Sequence, residues 1–205
     1  MARKPAAPVV VRRPRRDDVR RRVLDASLDE FTRHGYQRAS LDRIAAAAGF
    51  SKGAIYSNFA GKEDLFLSLM DQQVRDRLDR VGDTIATVGS DVGEDVVAEQ
   101  VGRVLTGVIA SDTAWQLLFL DYVTHAARDP QRRAQLTERR RKIRAVVAAA
   151  TAEMLPPQHP LWTRFTPDAI AITMLAISNG LALERIADPD GVPGDLLGRI
   201  MQSLL

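Results

Sequence analysis

The chain has 205 residues, of which 45% are hydrophobic and 27% charged, a composition typical of a globular protein with one or two domains. It contains no cysteine, which excludes disulfide bonds and thiolate sites and fits a reducing cytoplasm. The net charge of +3 hides an asymmetry, since residues 1–62 carry 14 Lys/Arg against 6 Asp/Glu and residues 63–205 carry 15 against 20. A basic first third is typical of nucleic-acid binding. The acidic remainder argues against a membrane surface, and without an apolar run of about 18 residues we expect no transmembrane helix.

Residues 1–16 contain three prolines, five arginines and Lys4, which predicts a flexible basic arm. Such an arm can enter a minor groove or follow phosphates, or it can remain a solvated tail. Asp17 and Asp18 favour the start of a helix, whose apolar face includes Val23, Leu24 and Phe31 and which Gly35 is expected to close.

Two short helices joined by a glycine turn follow. Ser40 can cap the first through its hydroxyl, and Gly49 is expected to adopt a positive φ at its end. Ser51 can cap a second helix of about two turns, which is too short and too polar to be a core helix. A short helix held out by its neighbours is typical of one that enters the DNA major groove.

The second short helix has an inner and an outer face. Ile55 and Phe59 lie four residues apart and are expected to point inward. On the outer side Lys52 and Tyr56 suit phosphate oxygens, whereas small residues let base edges approach. The DNA-binding candidates are therefore Ser40, Ser51, Lys52, Gly53, Ala54, Tyr56, Ser57 and Asn58.

Lys62 opens the next helix, where a cation opposes the helix dipole by roughly 0.3–1 kcal/mol. A lysine at this position is understandable if it meets a phosphate beside the free backbone N–H groups, although a solvated side chain is the alternative.

The run from Ala46 to Phe66, Ala-Ala-Ala-Gly-Phe-Ser-Lys-Gly-Ala-Ile-Tyr-Ser-Asn-Phe-Ala-Gly-Lys-Glu-Asp-Leu-Phe, resembles the DNA-binding signature of the TetR transcriptional regulators. The upstream segment Phe31–Tyr36 resembles it too, so the match covers residues 17–70. The resemblance implies an all-α, homodimeric, ligand-responsive repressor with phosphate contacts from Tyr56 and Lys62. Gly61 departs from the commoner Ser, Asp or Asn, and Asn58 occupies a variable position where it can read a base.

The division that follows is a basic arm at 1–16, a helix-turn-helix domain at 17–62 and a helical ligand-binding and dimerisation domain at 63–205. The helix from Lys62 is expected to reach Val81. Further helices are predicted near 94–110, 113–128, 130–154, 167–187 and 193–204, with prolines between several of them.

Trp115, Leu118, Phe119 and Tyr122 share one helix face. Core packing is the simpler interpretation, but aromatic side chains with polar tips also line ligand pockets. The resemblance places a small-molecule cavity in this domain, and its ligand is expected to be hydrophobic or amphipathic. The ligand-binding candidates are Trp115, Phe119, Tyr122, Met174, Ile177 and Asn179, with Met154, Trp162 and Phe165 as further candidates. Asn179 can orient a ligand or make an interhelical hydrogen bond.

Arg139–Lys142 with Arg144 form a charge run that is most often a solvated helix face, with contact to an acidic ligand as the alternative. The three histidines are scattered, so neither a metal nor a cofactor is expected. No nucleophile–base pair or phosphate loop is present, since Gly61-Lys62 lacks the other residues of a P-loop. A helical enzyme is thus a remote alternative, and a regulator of the same fold without a small-molecule inducer is the nearer one.

Residues 167–205 are the expected homodimer surface. Ala169, Ala176 and Gly180 place small residues at helical spacing, and the last helix has an apolar face that ends in Leu204 and Leu205. The resemblance implies that two helices of each subunit pair into a four-helix bundle; docking within one subunit is the alternative. The predicted partners are thus an operator in double-stranded DNA, a second copy of the chain and a small-molecule inducer, with no membrane.

Overall fold

The computed structural model describes residues 15–88, 100, 102–104, 107, 113–155 and 157–204. The described chain contains no strand, which confirms the prediction of an all-α fold. Its principal elements are α1 (Arg16–Arg38), α2 (Leu41–Ala48), α3 (Lys52–Tyr56), α4 (Lys62–Val88), α5 (Thr113–Ala127), α6 (Pro130–Met154), a 3-10 turn (Pro160–Thr163), α7 (Pro167–Ala187) and α8 (Leu196–Leu204).

The bounds of α6 and α7 agree with those predicted because each helix starts at a proline behind a capping residue. Asp129 accepts the N–H groups of Gln131 and Arg132, and Thr166 accepts that of Ala169. Other bounds differ: α3 is shorter than two turns, α4 continues past Val81 and α8 begins only at Leu196, after a turn. The helix predicted near 94–110 lies mostly outside the described residues.

Gly35 ends the first helical segment of α1, as predicted, and a short second segment follows it. Its φ of 74° and ψ of 163° break the helical geometry, yet helix resumes and continues to Arg38. A Cβ on this glycine would lie 3.2 Å from a carboxylate oxygen of Asp121, and the same carboxylate accepts the Tyr36 N–H at 2.9 Å. The kink therefore frees a backbone donor that α5 satisfies.

The helices α1 to α3 form a compact unit, which we call the head. Gly49 ends α2 with a φ of 73°, and the Ser51 hydroxyl caps α3 by accepting the Ala54 N–H, so both predictions are confirmed. The prediction that the Ser40 hydroxyl caps α2 is wrong. Ser40 occupies the N-cap position, but its hydroxyl makes no cap bond. Its backbone N–H instead donates to the buried carboxylate of Glu30 at 3.0 Å, which ties α1 to the start of α2.

An aromatic cluster joins the head to the remaining helices, which we call the body. Phe66 of α4 lies at its centre, with ring centroids 5.4 Å from Phe31, 5.2 Å from Tyr36, 4.3 Å from Tyr122 and 6.0 Å from Trp115. Head and body therefore share one hydrophobic core, and the domain boundary after residue 62 stays a prediction.

One face of α7 is left uncovered by the chain. This helix packs against α6 with its other side, whereas Ile172, Thr173, Ala176, Gly180 and Leu183 are exposed. By length and a mean hydropathy of 1.4, it is the one described helix apolar enough to cross a membrane, with 11% of that window buried. Leu197 of α8 behaves differently, because it is 4% exposed and packs with Ala182 inside the chain. Leu197 lies within the range 167–205 predicted as the dimer surface, but its burial leaves it no surface for a partner.

Candidate DNA-binding surface and ligand cavity

The outer face of α3 is the exposed part of the head. Ile55 and Phe59 are 0% and 2% exposed, so the predicted inward orientation is confirmed. Lys52, Gly53, Tyr56 and Ser57 are exposed and Ala54 half-buried. A Cβ on Gly53 would make only an ordinary contact, 3.7 Å from the Ser51 hydroxyl. The fold therefore has room for a side chain at position 53.

Asn58 lies half-buried at the end of α3, where the start of α1 meets it. Its amide nitrogen donates to Ala54 O at 2.8 Å and to the Ser57 hydroxyl at 3.2 Å. Its side-chain oxygen accepts from Arg16 at 3.3 Å. These bonds hold Asn58 on the protein, and they place the Arg16 guanidinium beside the exposed face of α3.

Several cations of the head bond to backbone carbonyl groups at the ends of its helices. Arg22 donates to Ala48 O at 2.8 Å, at the end of α2. Arg20 donates to Asn58 O at 3.3 Å, and its guanidinium lies 4.5 Å from the centroid of the Phe59 ring. Arg43 bridges Arg38 O and the carboxylate of Glu30. Much of the basic charge of the head therefore holds its helices together.

Lys62, at the start of α4, also bonds to backbone carbonyl groups of the head. Its ammonium donates to Gln37 O at 2.8 Å and Ala39 O at 3.3 Å, and it lies 5.0 Å from the centroid of the Tyr36 ring. Burial lowers the pKa of Lys62. These contacts supply an intramolecular reason for a lysine at the start of α4, which sequence reasoning missed because the acceptors lie more than 20 residues away. An ammonium has three N–H donors, so the phosphate contact stays a prediction.

Lys52 forms an ion pair across the glycine turn. Its ammonium lies 3.0 Å from a carboxylate oxygen of Asp42 on α2, and this hydrogen bond raises the pKa of Lys52. Both side chains are at least half exposed. Such a pair is weak in water, so the lysine can exchange Asp42 for a phosphate.

The body contains a cavity of about 120 Å³ between α4, α5, α6 and α7. Four predicted ligand-binding residues line it, namely Trp115, Phe119, Met174 and Asn179. Its other walls are mainly apolar side chains of Met70, Val74, Leu78, Val81, Ile143, Val147 and Leu175.

Tyr122 and Ile177, two further predicted ligand-binding residues, do not line this cavity. Tyr122 is fully buried at the junction with the head, where its hydroxyl donates to Glu63 at 3.0 Å. It shares a helix face with Trp115, but seven residues of helix place it about 10 Å further along the axis. Ile177 instead packs near Leu197. Trp162 and Phe165 also lie away from the cavity, and the Met154 side chain is outside the described residues.

Sequence reasoning named Asn179 and left contact of the Arg139–Lys142 run with an acidic ligand as an alternative, but it missed Gln73 and Arg77 in the cavity lining. Gln73 and Arg77 of α4 and Arg140 of α6 all line the cavity. The solvated-face interpretation is wrong for Arg139, which pairs with Asp71, and for Arg140, whose guanidinium lies 5.6 Å from the centroid of the Phe119 ring. It is right for the exposed Arg141 and Lys142. A helical stripe of Arg140, Ile143 and Val147 was the available signal.

The helix α5 contacts both the cavity and the head. Its first turns supply Trp115 and Phe119 to the cavity. Its later turns supply Asp121, which accepts the Tyr36 N–H at 2.9 Å, and His125, whose Nδ1 lies 3.3 Å from the Gln37 amide. A displacement of α5 at the cavity would therefore reach the residues that position the head. No group of three or more potential metal ligands occurs among the described residues.

Two family models match the chain. One, described as bacterial regulatory proteins of the tetR family, matches residues 23–69, and the other, described as the C-terminal part of a BetI-type transcriptional repressor, matches residues 98–205. An HTH-type transcriptional repressor of Streptomyces coelicolor is 29% identical over 126 residues, which are 61% of each chain. The first curated relatives are thus matched over less than two thirds of their length.

Solved structures show the same fold at low identity. A transcriptional regulator from Pseudomonas aeruginosa PAO1 has a TM-score of 0.67 at 18% identity, with 94% of this chain and 90% of that chain covered. The regulator FadR from Bacillus subtilis, in complex with stearoyl-CoA, has a TM-score of 0.60 at 14% identity, with 90% and 96% covered.

Proposed function

The chain belongs to the TetR family of bacterial transcriptional regulators, and we propose that it is a homodimeric repressor that a small molecule releases from its operator. The relatives and the fold are those of regulators rather than enzymes. The observation that carries the proposal is the exposed face of α3, which projects from a buried core beside the basic start of α1. Such a protein acts on the chromosome, so we assign it to the cytoplasm.

The contacts with DNA divide into two kinds. Tyr56, Lys62 and Arg16 bind phosphates, which fix the position of the head without reading sequence. Gly53 and Ser57 face base edges, and Lys52 beside them contacts a phosphate once it releases Asp42, with Ser40, Ser51, Ala54 and Asn58 at the margins of the contact.

The DNA experiment begins with selection of bound fragments from genomic DNA, followed by salt titrations on the selected site and on a scrambled duplex. Lys62→Ala should weaken both duplexes alike and reduce the log–log salt slope of the dimer by about 1.8, because the contact is lost from both heads and each phosphate contact accounts for about 0.9. A fall in thermal stability with an unchanged slope would restrict Lys62 to its bonds with Gln37 and Ala39. Lys142→Ala, an exposed lysine of the body, is the control.

The exposed face of α7 supports the dimer. Ile172, Ala176, Gly180 and Leu183 form a stripe, and a Cβ on Gly180 would meet nothing within 4 Å. A second copy of α7 can therefore approach closely at this glycine. The rest of the chain covers little of α7. Its exposed apolar stripe therefore needs a partner surface.

Gly180→Glu tests the dimer. A charge in the stripe should give monomers by light scattering and weaken operator binding, while the monomer keeps its fold because glutamate favours a helix more than glycine does. Gly82→Glu is the matched control, since Gly82 is also an exposed helical glycine with open space around it. A Gly180→Glu protein that stays dimeric at micromolar concentration would exclude this surface. Leu197→Glu is unsuitable, because it would bury a charge inside the chain.

Ligand release would proceed through α5. A ligand that binds the cavity more tightly in one spacing of the two heads shifts the population toward that spacing. The contacts of Asp121 with Tyr36 and of Tyr122 with Glu63 would carry the displacement to α1 and α4. Asp121→Ala removes the hydrogen bond that the Tyr36 N–H donates. This variant should still bind the ligand, but the ligand should change its operator affinity less, as measured by fluorescence anisotropy. An unchanged effect would exclude this route, and a regulator without an inducer would show no effect with any ligand.

A further inference from the structure

Polar groups from three helices line the cavity without protein partners. Gln73 of α4 is 8% exposed, yet its amide makes no hydrogen bond with the described residues. The amide of Asn179 on α7 also makes none within the described chain, so of its two alternatives, orienting a ligand or bonding to another helix, the described residues offer no partner for the second. Gln73 is buried and Asn179 half-buried, and both line the cavity, so a molecule bound there can accept from both amides and donate to them.

Arg140 supplies the charge. Its neighbours on α6 have carboxylate partners, since Arg139 pairs with Asp71 and Arg144 lies 3.5 Å from Asp168. Arg140 is half-buried and makes no ion pair with any described residue. Burial, with the nearby charge of Arg144, lowers the pKa of Arg140, but a guanidinium remains protonated in proteins. The charge is thus partly desolvated, and no carboxylate in the described part of the chain compensates it.

The lining as a whole favours an anion. Arg77 and Arg140 both contribute to it, and no aspartate or glutamate does so among the described residues. A planar guanidinium matches a carboxylate through two parallel hydrogen bonds. Amide N–H groups, such as those of Gln73 and Asn179, also donate to carboxylate oxygens.

The size of the cavity limits the rest of the ligand. Its volume of about 120 Å³ is slightly below the roughly 150 Å³ of an engineered cavity that binds benzene, so it holds no more than one ring, and the carboxylate must lie at its edge beside the half-exposed Arg140. The apolar wall, which includes Val74, Trp115 and Met174, suits a body of that size.

We propose that the cavity binds a small carboxylate whose apolar part is about as large as one benzene ring, with the carboxylate on Arg140 and within reach of Gln73 and Asn179. This inference rests on the proposed ligand response and specifies the chemistry of its ligand. It also narrows the expectation of a hydrophobic or amphipathic ligand to an anionic one.

The experiment uses three probes of nearly identical shape and different charge, namely benzoate, benzamide and benzamidine, measured by calorimetric titration of the full chain. Benzoate should bind at least about tenfold more tightly than neutral benzamide, because only benzoate compensates the buried charge. Benzamidine should not bind. Hexanoate against hexanamide repeats the comparison for an aliphatic body, so the two pairs distinguish an aromatic from an aliphatic acid.

Arg140→Gln should remove the preference for benzoate over benzamide, whereas Arg141→Gln, a change of the exposed neighbouring arginine, should leave it intact. Thermal unfolding of each variant establishes that it is folded, and the charge series on the unmodified protein decides the question if Arg140→Gln is not. Equal affinities for benzoate and benzamide would overturn the proposal, as would failure of all five probes to bind or a preference that survives in Arg140→Gln.

Operator binding, measured in parallel, separates this inference from the proposed function. If benzamide rather than benzoate releases the operator, the ligand response stands and the carboxylate inference falls. If benzoate binds through Arg140 and operator affinity does not change, the carboxylate site stands and the ligand response falls.

Discussion

Head and body differ in whether their polar and apolar groups have partners within the described chain. In the head, cations bond to carbonyl groups at helix ends, and the buried carboxylate of Glu30 accepts from both Ser40 and Arg43. In the body, the amides of Gln73 and Asn179 lack partners within the described chain, and α7 leaves an apolar face exposed. These polar groups of the head thus have partners within the described chain, whereas the body leaves polar and apolar groups that a ligand and a second subunit would cover under the proposed function.

The largest effect should come from the side chain that links the two regions. Phe66 is fully buried and touches aromatic rings of both head and body. Phe66→Ala should therefore destabilise the protein by about 3–5 kcal/mol in denaturant unfolding, through lost burial and the cavity left behind. Both regions should unfold in one transition. Phe165→Ala, at a side chain that is 46% exposed, should change stability by less than about 0.5 kcal/mol. Two separate transitions would show that head and body are independent.

Much of this division could be anticipated from the sequence, and the failures share a cause. Helix starts with local signals, such as Pro130 behind Asp129 and Pro167 behind Thr166, were predicted correctly because cap and helix adjoin in sequence. The contacts of Glu30 and Lys62 were not, because each depends on a group brought near only by folding. For Arg140 the sequence left two alternatives, a solvated face and contact with an acidic ligand, and only its place on the cavity wall removes the first. The sequence shows which residues are charged, but it does not show which group each charge contacts in the folded protein.

The second prediction concerns the buried carboxylate of Glu30, which joins α1 to the start of α2. Burial raises the pKa of Glu30, but hydrogen bonds from Ser40 and Arg43, with the charges of Arg43 and His34, outweigh it and hold the pKa below its usual value. Since the folded pKa is depressed, this stabilisation is present above the unfolded pKa of about 4.3 and is lost as the pH falls through the folded value. Glu30→Gln should cost about 1.5–3 kcal/mol at pH 7, because it weakens charge-assisted bonds in a buried site.

The pH series gives this prediction its control. Unfolding of Glu30→Gln and of the unmodified protein, measured between pH 7 and pH 3, should converge at the acid end. Asp29→Asn, a change of the exposed neighbouring carboxylate, should show no such difference. A Glu30→Gln deficit that is the same at pH 3 as at pH 7 would rule out the ionised carboxylate as the source of the stability.

The third prediction tests whether the exposed face of α3 reads sequence. The fold has room for a side chain at Gly53, so Gly53→Val should leave the head folded. On the groove side, a branched side chain would hold α3 away from base edges and cost roughly 1–3 kcal/mol on the selected operator, with little effect on scrambled DNA. Competition binding with both duplexes measures this difference, and Gly82→Val in the body is the control. Equal losses on both duplexes would place Gly53 outside the base contact.

The smallest effect should come from the one ion pair that spans the glycine turn. Asp42 holds Lys52 at 3.0 Å in the free protein and would add a negative charge close to bound DNA. Asp42→Asn removes the repulsion from phosphates and leaves the Lys52 ammonium free to contact DNA, so affinity should rise a few-fold on operator and scrambled duplexes alike. Since both effects are electrostatic, the gain should shrink as the salt concentration increases. Lys52→Gln combined with Asp42→Asn separates the two contributions, because only the reduced repulsion survives in the double variant. If Asp42→Asn has no effect at any salt concentration, Lys52 and Asp42 both lie outside the phosphate contact, and the DNA surface of α3 must be moved toward Tyr56 and Ser57.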